Sequence, residues 1–374
     1  MGEEERQPEI LVVGAGNIGR VYGYHLFKAG AKIHFYIREH NKQNLTKYPL
    51  RIHRLTSAFR FLNKSTTEKF SDYTITTDTD VASGNTPNLP EQLDYVVFAV
   101  PCNRLGEGDW LKTLISYLNN KYQKNVYYTS PIPDETSMQR IIDMGVDKSQ
   151  IISGQTNICS YFAPLENQKF EPRGEECAKK DKEEDNLNKV IVYCTTIPEV
   201  YGKLTEEAKE ATNAFINLLN KGGINAVNID KDTQYGIICV MAAPFLAVCS
   251  MYNWDLFNLG RDINTVTLLT TALCETSQTV MKKTDNKCSF LVKAIPFVPS
   301  LLFSSILIFV HFISLYICSF DIEAFCHAHF KVKLGEQTDY FASVVRSDAE
   351  KYNVDITHFN KIMDNYHSFE KKSE

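Results

Sequence analysis

Three glycines, in Gly14-Ala15-Gly16-Asn17-Ile18-Gly19, have the type and spacing to bring backbone against a polyanion. The first permits a tight turn, the second leaves room for a pyrophosphate, and the third lets a following helix pack closely. A helix that starts there offers free N–H groups and a partial positive charge. About 20 residues further on, Tyr36-Ile37-Arg38-Glu39 sets the choice of nucleotide. An Arg at a strand tip pairs with a 2′-phosphate and selects NADP(H), whereas Glu39 in that place would hold a ribose 2′-hydroxyl and select NAD(H). We place Arg38 at the tip, with His40 and Lys42 close by, and expect NADP(H). The other dense group is Cys326-His327-Ala328-His329 with Lys331 and Lys333. His329 can act there as an acid and Lys331 as an anion clamp. On an α-helix His327 and His329 point about 200° apart, and no second ligand pair is in evidence, so no metal is expected.

These side chains need elements to hold them. Residues 10–13 are an unbroken apolar run, as in a strand buried on both faces. A helix over 20–28 and a strand over 32–37 complete a β-turn-α-β unit of about 30 residues, the context that gives the glycine spacing meaning. Strands are expected at 73–77, 94–100, 125–129 and 150–153, helices at 111–118 and 134–144, and a loop at 83–90. That alternation makes a doubly wound parallel sheet. A strand at 190–194 follows, then a helix over 205–219, capped by Thr205 and ended by Gly222-Gly223. Beyond Asp230 apolar residues recur with helical periodicity to Tyr366. The expected fold class is α/β: a Rossmann-type domain over 1–229, with a charged loop at 171–185, then an all-α domain over 230–374. In that loop 11 of 15 residues are charged, with both signs mixed, which suits a solvated surface.

Composition narrows the function classes. The 374 residues are 44% hydrophobic and 23% charged, enough for two domains with their own cores. The net charge of −5 holds no basic excess, which argues against a nucleic-acid partner. Ten cysteines without a C-x-x-C pair suit reduced thiols of a cytoplasmic protein. The acidic start, Met-Gly-Glu-Glu-Glu-Arg, has neither a secretory signal nor, with Arg6, a myristoylation pattern. The expected partner is a small-molecule substrate.

With the glycine turn at 14–19 and Arg38 after the second strand, the layout resembles the ketopantoate reductase family, whose second domain is of the 6-phosphogluconate dehydrogenase-like helical type. The resemblance continues through Asp94-Tyr95-Val96-Val97-Phe98-Ala99-Val100, Ile151-Ile152-Ser153-Gly154, the helix at 205–219, Gly222-Gly223-Ile224 and Gln337-Thr338-Asp339-Tyr340. It implies NADPH-dependent reduction of a 2-oxo acid to a 2-hydroxy acid. It also implies a Lys where Pro101 stands and an Asn at Ser130 or Pro131. A catalytic Lys with two Asn falls at Tyr235, Cys239 and Ala243, and an acid falls at Gln337, beside Glu336. Tyr235 can donate a proton, but Cys239, Ala243 and Gln337 supply no charge. Two readings follow. One is an NADP(H)-dependent oxidoreductase of this type acting on a carbonyl, 2-oxo acid or hydroxy substrate, with Tyr235, His329, Lys331 and Gln337 as catalytic candidates. The other is a catalytically inactive NADP(H)-binding protein.

Residues 294–320 contain no Asp, Glu, Lys or Arg, and 300–320 alone would cross a hydrocarbon core. Pro296 and Pro299 interrupt its beginning, and Lys282, Lys283, Lys287 and Lys293 precede it. Three readings stand: a buried core or homodimer-interface helix, a segment dipping into a membrane, or a span. The ending Lys371-Lys372-Ser373-Glu374 has the form of a dilysine retrieval signal, which would place a membrane-associated form on the cytosolic face of the endoplasmic reticulum.

Overall fold

In a computed structural model the described residues are 6–373, other than 124, 132–134, 167, 170–189, 196, 229–236 and 333–334. They form two units: Met1–Ala58, Leu62–Ala163 and Arg173–Lys231 make the first, and Phe59–Phe61, Pro164–Pro172 and Asp232–Glu374 the second.

The first unit runs β1 (Glu9–Val13), α1 (Asn17–Lys28), β2 (Lys32–Ile37), β3 (Leu50–Leu55), β4 (Thr66–Phe70), β5 (Thr74–Thr77), β6 (Tyr95–Phe98), α2 (Trp110–Tyr122), β7 (Tyr127–Ser130), β8 (Ile151–Gln155), β9 (Ile158–Ala163), β10 (Val190–Thr195), β11 (Glu199–Lys203), α3 (Lys209–Gly222) and β12 (Ala226–Asn228), with shorter helices between. Eight strands form a sheet in the order β12-β11-β8-β7-β6-β1-β2-β5. Its central strands are parallel, and their apolar runs divide between two cores. Ile10 and Val12 of β1 join Tyr22 of α1 and Phe215 of α3 on one face. Leu11 and Val13 join Leu111, Leu114 and Leu118 of α2 on the other. Alternate side chains of a strand point to opposite faces, so a strand covered on both sides must be apolar throughout.

Two features depart from the expected doubly wound sheet. β11 runs antiparallel to β8, with Val200 opposite Gln155 and Lys203 opposite Ile152. The second departure is a separate four-stranded sheet in the order β4-β3-β10-β9, to which the strand expected from residue 190 belongs. Its apolar residues Leu50, Ile52, Ile191 and Tyr193 share a core with α1. That helix is therefore covered on two sides, which explains why its positions from Asn17 to Leu26 are buried apart from half-buried Ile18. The helix expected over 205–219 begins instead with a 3-10 turn at Glu206–Ala208, and Thr205 makes no side-chain capping bond. Its left-handed end at Gly223, φ 95°, is as expected for glycine. The charged loop at 171–185 and the junction at 229/230 lie outside the described residues.

The second unit is helical among its described residues, apart from an isolated bridge between Phe59 and Cys318. Its main helices are α4 (Ile237–Met251), α5 (Ile263–Lys283), α6 (Ser300–Tyr316), α7 (Gly335–Lys351) and α8 (Thr357–Ser373). The core gathers Ala247 and Val248 of α4, Leu269 and Leu273 of α5, Ala342 of α7, and Phe359 and Ile362 of α8. Glu275 of α5 is largely covered: its carboxylate accepts the N–H groups of His358 (3.1 Å) and Phe359 (2.8 Å) at the start of α8. Free N–H groups at a helix N-terminus draw a carboxylate out of water.

Candidate functional site: the glycine turn

β1 occupies the middle of the main sheet, between β6 and β2, where the chain's excursions change direction. Open α/β sheets bind ligands at such a switch point, beyond the carboxyl ends of their strands. The glycine turn leaves β1 there. Gly14 has φ 95°, and a Cβ would come within 2.7 Å of Val100. Its N–H donates to the carbonyl oxygen of Tyr36 at 2.9 Å, tying the turn to β2. A Cβ on Gly19 would lie 1.9 Å from the carbonyl oxygen of Gly14, so helix and turn touch backbone to backbone.

Gly16 differs from both. It is exposed, and a Cβ there would meet nothing within 4 Å. It is the N-cap of α1 and makes no side-chain capping bond, and the first turn carries no acidic residue. The first helical bond runs from Arg20 N–H to Gly16 (3.0 Å), so among the described residues the N–H groups of Asn17, Ile18 and Gly19 have no acceptor. Uncapped donors beside open space are what a pyrophosphate needs. Half-buried Ala15 and Ile18 pack on the core beneath them. Asn17 is buried; its Nδ2 donates to Ser160 at 2.9 Å, and its Oδ1 has no partner among the described residues.

β2 ends at Ile37, so Arg38 is the first residue beyond the strand. It is exposed, with extended backbone (φ −70°, ψ 143°); its carbonyl accepts the N–H of Asn41 at 2.9 Å, while its guanidinium has no hydrogen bond or ion pair among the described residues. Glu39 starts a 3-10 turn; its N–H donates to Asp78 at 2.9 Å and its carboxylate lies 3.8 Å from Lys42.

Sequence reasoning missed two groups in this unit. Arg20 is buried, donates from Nε to the carbonyl of Ala15 at 2.7 Å and lies over the Phe162 ring at 5.2 Å. Burial lowers its guanidinium to about 10, which leaves it charged at neutral pH. Its place one residue after the last glycine was the available signal. The second group is a chain of hydroxyls on a carboxylate: Tyr201 donates to Tyr22 at 2.8 Å, and Tyr22 donates to Glu199. Asn157 N–H also donates to Glu199, at 2.6 Å. Burial raises the Glu199 carboxyl to about 7 against the lowering effect of those donors. A lone Glu opening a short strand carries no sequence signal.

The catalytic candidates stand apart from this turn in the chain. Tyr235 lies outside the described residues, as do the side chains of Lys331 and Gln337. His329 is half-buried, its ring stacked on Phe325 at 5.3 Å. The segment His327–Val332 is a π-helix, so the angular separation expected for an α-helix does not apply. Of the positions named by the resemblance, Ala243 is buried in the helical core and Ser130 ends β7. Asp255, His311 and Glu323 bring ligating atoms within 4.8 Å of one another, but they are already engaged. Glu323 accepts from Lys169 Nζ (2.7 Å) and pairs with His311 (2.7 Å), while Asp255 accepts from Asn258 at 2.9 and 2.7 Å. A cavity of about 200 Å³ lies at the opposite end of the parallel strands from the glycine turn, lined by Gly30, Ile33, His34 and Thr74.

Fold and turn together define an α/β protein with a dinucleotide-binding glycine motif. Residues 10–117 match the family described as ketopantoate reductase PanE/ApbA. Over those residues the chain is similar to the ketopantoate reductase domain, and the remainder is likened to such proteins by fold alone. Its fold is that of a D-mandelate dehydrogenase solved with NADH and anilino(oxo)acetate (TM-score 0.63, 13% identity, 97% of this chain and 99% of that one). It is shared with the 2-dehydropantoate 2-reductase of Geobacter metallireducens GS-15 (0.61, 10%, 97% and 99%). The dimeric ketopantoate reductase of Staphylococcus aureus has it too (0.57, 8%, 98% and 100%). No curated protein matches the chain by sequence.

Proposed function

We propose that this protein is an NADP(H)-dependent oxidoreductase of the ketopantoate reductase-like type, acting on a carbonyl, 2-oxo acid or hydroxy compound. The observation that carries the reading is the uncapped start of α1 behind Gly16, with unpartnered Arg38 directly beyond β2. The N–H groups of residues 17–19 would hold the pyrophosphate, and Arg38 a 2′-phosphate. The bound nicotinamide would supply hydride chemistry. The chain's own part is to hold the dinucleotide, to place a proton donor and to bind the substrate's anionic end. Tyr235, His329, Lys331 and Gln337 remain the candidates for the last two roles, with 1–229 as the nucleotide domain and 230–374 as the second. A cytoplasmic setting fits the free thiols of the described cysteines. The dimeric relative supports a homodimer, which light scattering would test.

Titration calorimetry with NADPH and NADH, wild type beside Arg38→Ala, tests the cofactor assignment. Tight NADPH binding that falls about tenfold or more in the variant, with NADH binding little changed, is expected from loss of a charge-assisted pair. Equal binding of both cofactors by both proteins would remove Arg38 from the role. A second reading, nucleotide binding without turnover, is favoured by uncharged Ala243 buried where the family's second Asn would stand. NADPH oxidation by the pure protein against a panel of 2-oxo acids would exclude it.

A further inference from the structure

Nine of the fourteen large apolar side chains exposed among the described residues fall between Phe290 and Tyr316. Six of the nine lie on α6, a helix whose polarity is inverted. The polar side chains of α6 turn inward: Ser304 donates to the carbonyl of Gly260 (2.6 Å), His311 pairs with Glu323 (2.7 Å), and Ser314 accepts the N–H of Ile322 (2.9 Å). Leu301, Leu302, Ile306, Phe309, Phe312 and Tyr316 face outward, between 43% and 72% exposed. Even exposed Ser305 satisfies its hydroxyl within the helix, on the carbonyl of Leu301 at 2.9 Å. A helix that keeps polar atoms on the protein side and apolar ones outside matches an apolar exterior, the reverse of a helix facing water.

We propose that this face of the second unit seats on an anionic lipid bilayer as a monotopic, in-plane contact. Three further observations favour a bilayer over a second copy of the chain. First, no single described helix is long and apolar enough to cross a membrane, and Phe290–Phe297 meets Ser300–Tyr316 at a bend of 116°. Two bent segments with outward apolar faces fit the interface plane rather than a span. Second, aromatic tips protrude at both ends, with Phe297 84% exposed at one and Phe61 71% at the other. Phe61 is held there because Arg60 N–H and Nε donate to the carbonyls of Ile317 (2.6 Å) and Cys318 (3.2 Å) after α6. Third, residues 286–320 contain no Asp or Glu, while Lys287 and Lys293 are exposed and their ammonium groups have no hydrogen-bond or ion-pair partner among the described residues. Two copies meeting on this face would find no carboxylate in it to pair those lysines, whereas anionic headgroups supply one.

Flotation of the full chain with phosphatidylcholine vesicles, with and without phosphatidylserine, tests the proposal. Binding is expected to the anionic vesicles and to weaken with salt. Phe309→Glu with Phe297→Glu should reduce partitioning about tenfold or more, since each carboxylate would enter the apolar zone. Lys287→Glu with Lys293→Glu should remove the preference for phosphatidylserine. Both pairs of sites are on the surface, so an unchanged thermal melt confirms that folding is intact. No flotation of the wild type, or a dimer dissociated by Phe309→Glu without vesicle binding, would overturn the proposal. The second outcome would assign the face to a second copy.

Discussion

Arg20 Nε donates to the carbonyl oxygen of Ala15 at 2.7 Å, so the first turn of α1 fastens the glycine turn that precedes it. The guanidinium is buried over Phe162 and has no acidic partner among the described residues. Its cost in desolvation is offset by that carbonyl and the ring face. Arg20→Met keeps the packing volume and removes the donor. NADPH affinity should fall about tenfold, the equivalent of roughly 1.4 kcal/mol, when compared by calorimetry with wild type. Unchanged affinity would mean the turn holds its shape without the tie.

Gly16 and Gly19 should separate folding from binding. Gly16→Val places its side chain in open space, so the melting temperature should stay close to wild type while NADPH binding is lost. Gly19→Ala drives a methyl to 1.9 Å from the Gly14 carbonyl, so it should lower the melting temperature as well. A Gly16→Val protein that binds NADPH normally would show that the pyrophosphate does not approach there.

Glu199 predicts a pH effect with a definite sign. Burial raises its carboxyl from 4.5 to about 7, so the folded chain holds that proton more tightly than the unfolded one. The contribution is complete below about 4.5 and is lost as pH rises toward about 7. Glu199→Gln removes the titration, so the fall in unfolding free energy across that window should flatten by about one proton's worth of slope. Urea melts at a series of pH values measure it, and parallel profiles for the two proteins would refute the assignment.

Glu275 joins α5 to the start of α8 through two backbone donors and the His358 ring. Glu275→Ala should destabilise the protein by about 1–3 kcal/mol, read from the denaturant midpoint. Partial recovery in Glu275→Gln would separate the hydrogen bonds from the carboxylate's charge.

Much of the first unit was legible because its central strands are buried on both faces. Such strands must be apolar without interruption, as 10–13 and 32–37 are, and the glycine spacing lies directly between them. β3, β4 and β9 were not found. Leu-Arg-Ile-His-Arg-Leu in β3 alternates, but it is short and carries two Arg and a His, and β4 is mostly exposed Thr, Glu and Lys. A clue lay elsewhere, in α1: with Arg20, Tyr22, Tyr24 and His25 all buried, the helix has no face for water and must be covered twice. The direction of α6 could not be read at all. Its sequence is apolar around most of its circumference, so periodicity gives no inward face, and only the inward hydrogen bonds of Ser304, His311 and Ser314 orient it. The role of Glu275 was not legible because its partners lie 83 and 84 residues away.

The core around α1 also sets how late in synthesis that helix can be covered. Tyr22 needs Glu199 and Tyr201, and Ile10 and Val12 share their core with Phe215, Leu219 and Ala226. A ribosome delivers residues from the N-terminal side at about 5–20 per second. The first helix therefore waits on the order of ten seconds or more for the strands and helix that cover it. Until then its apolar surface is available to chaperones, and a pause in translation before residue 199 would lengthen that exposure.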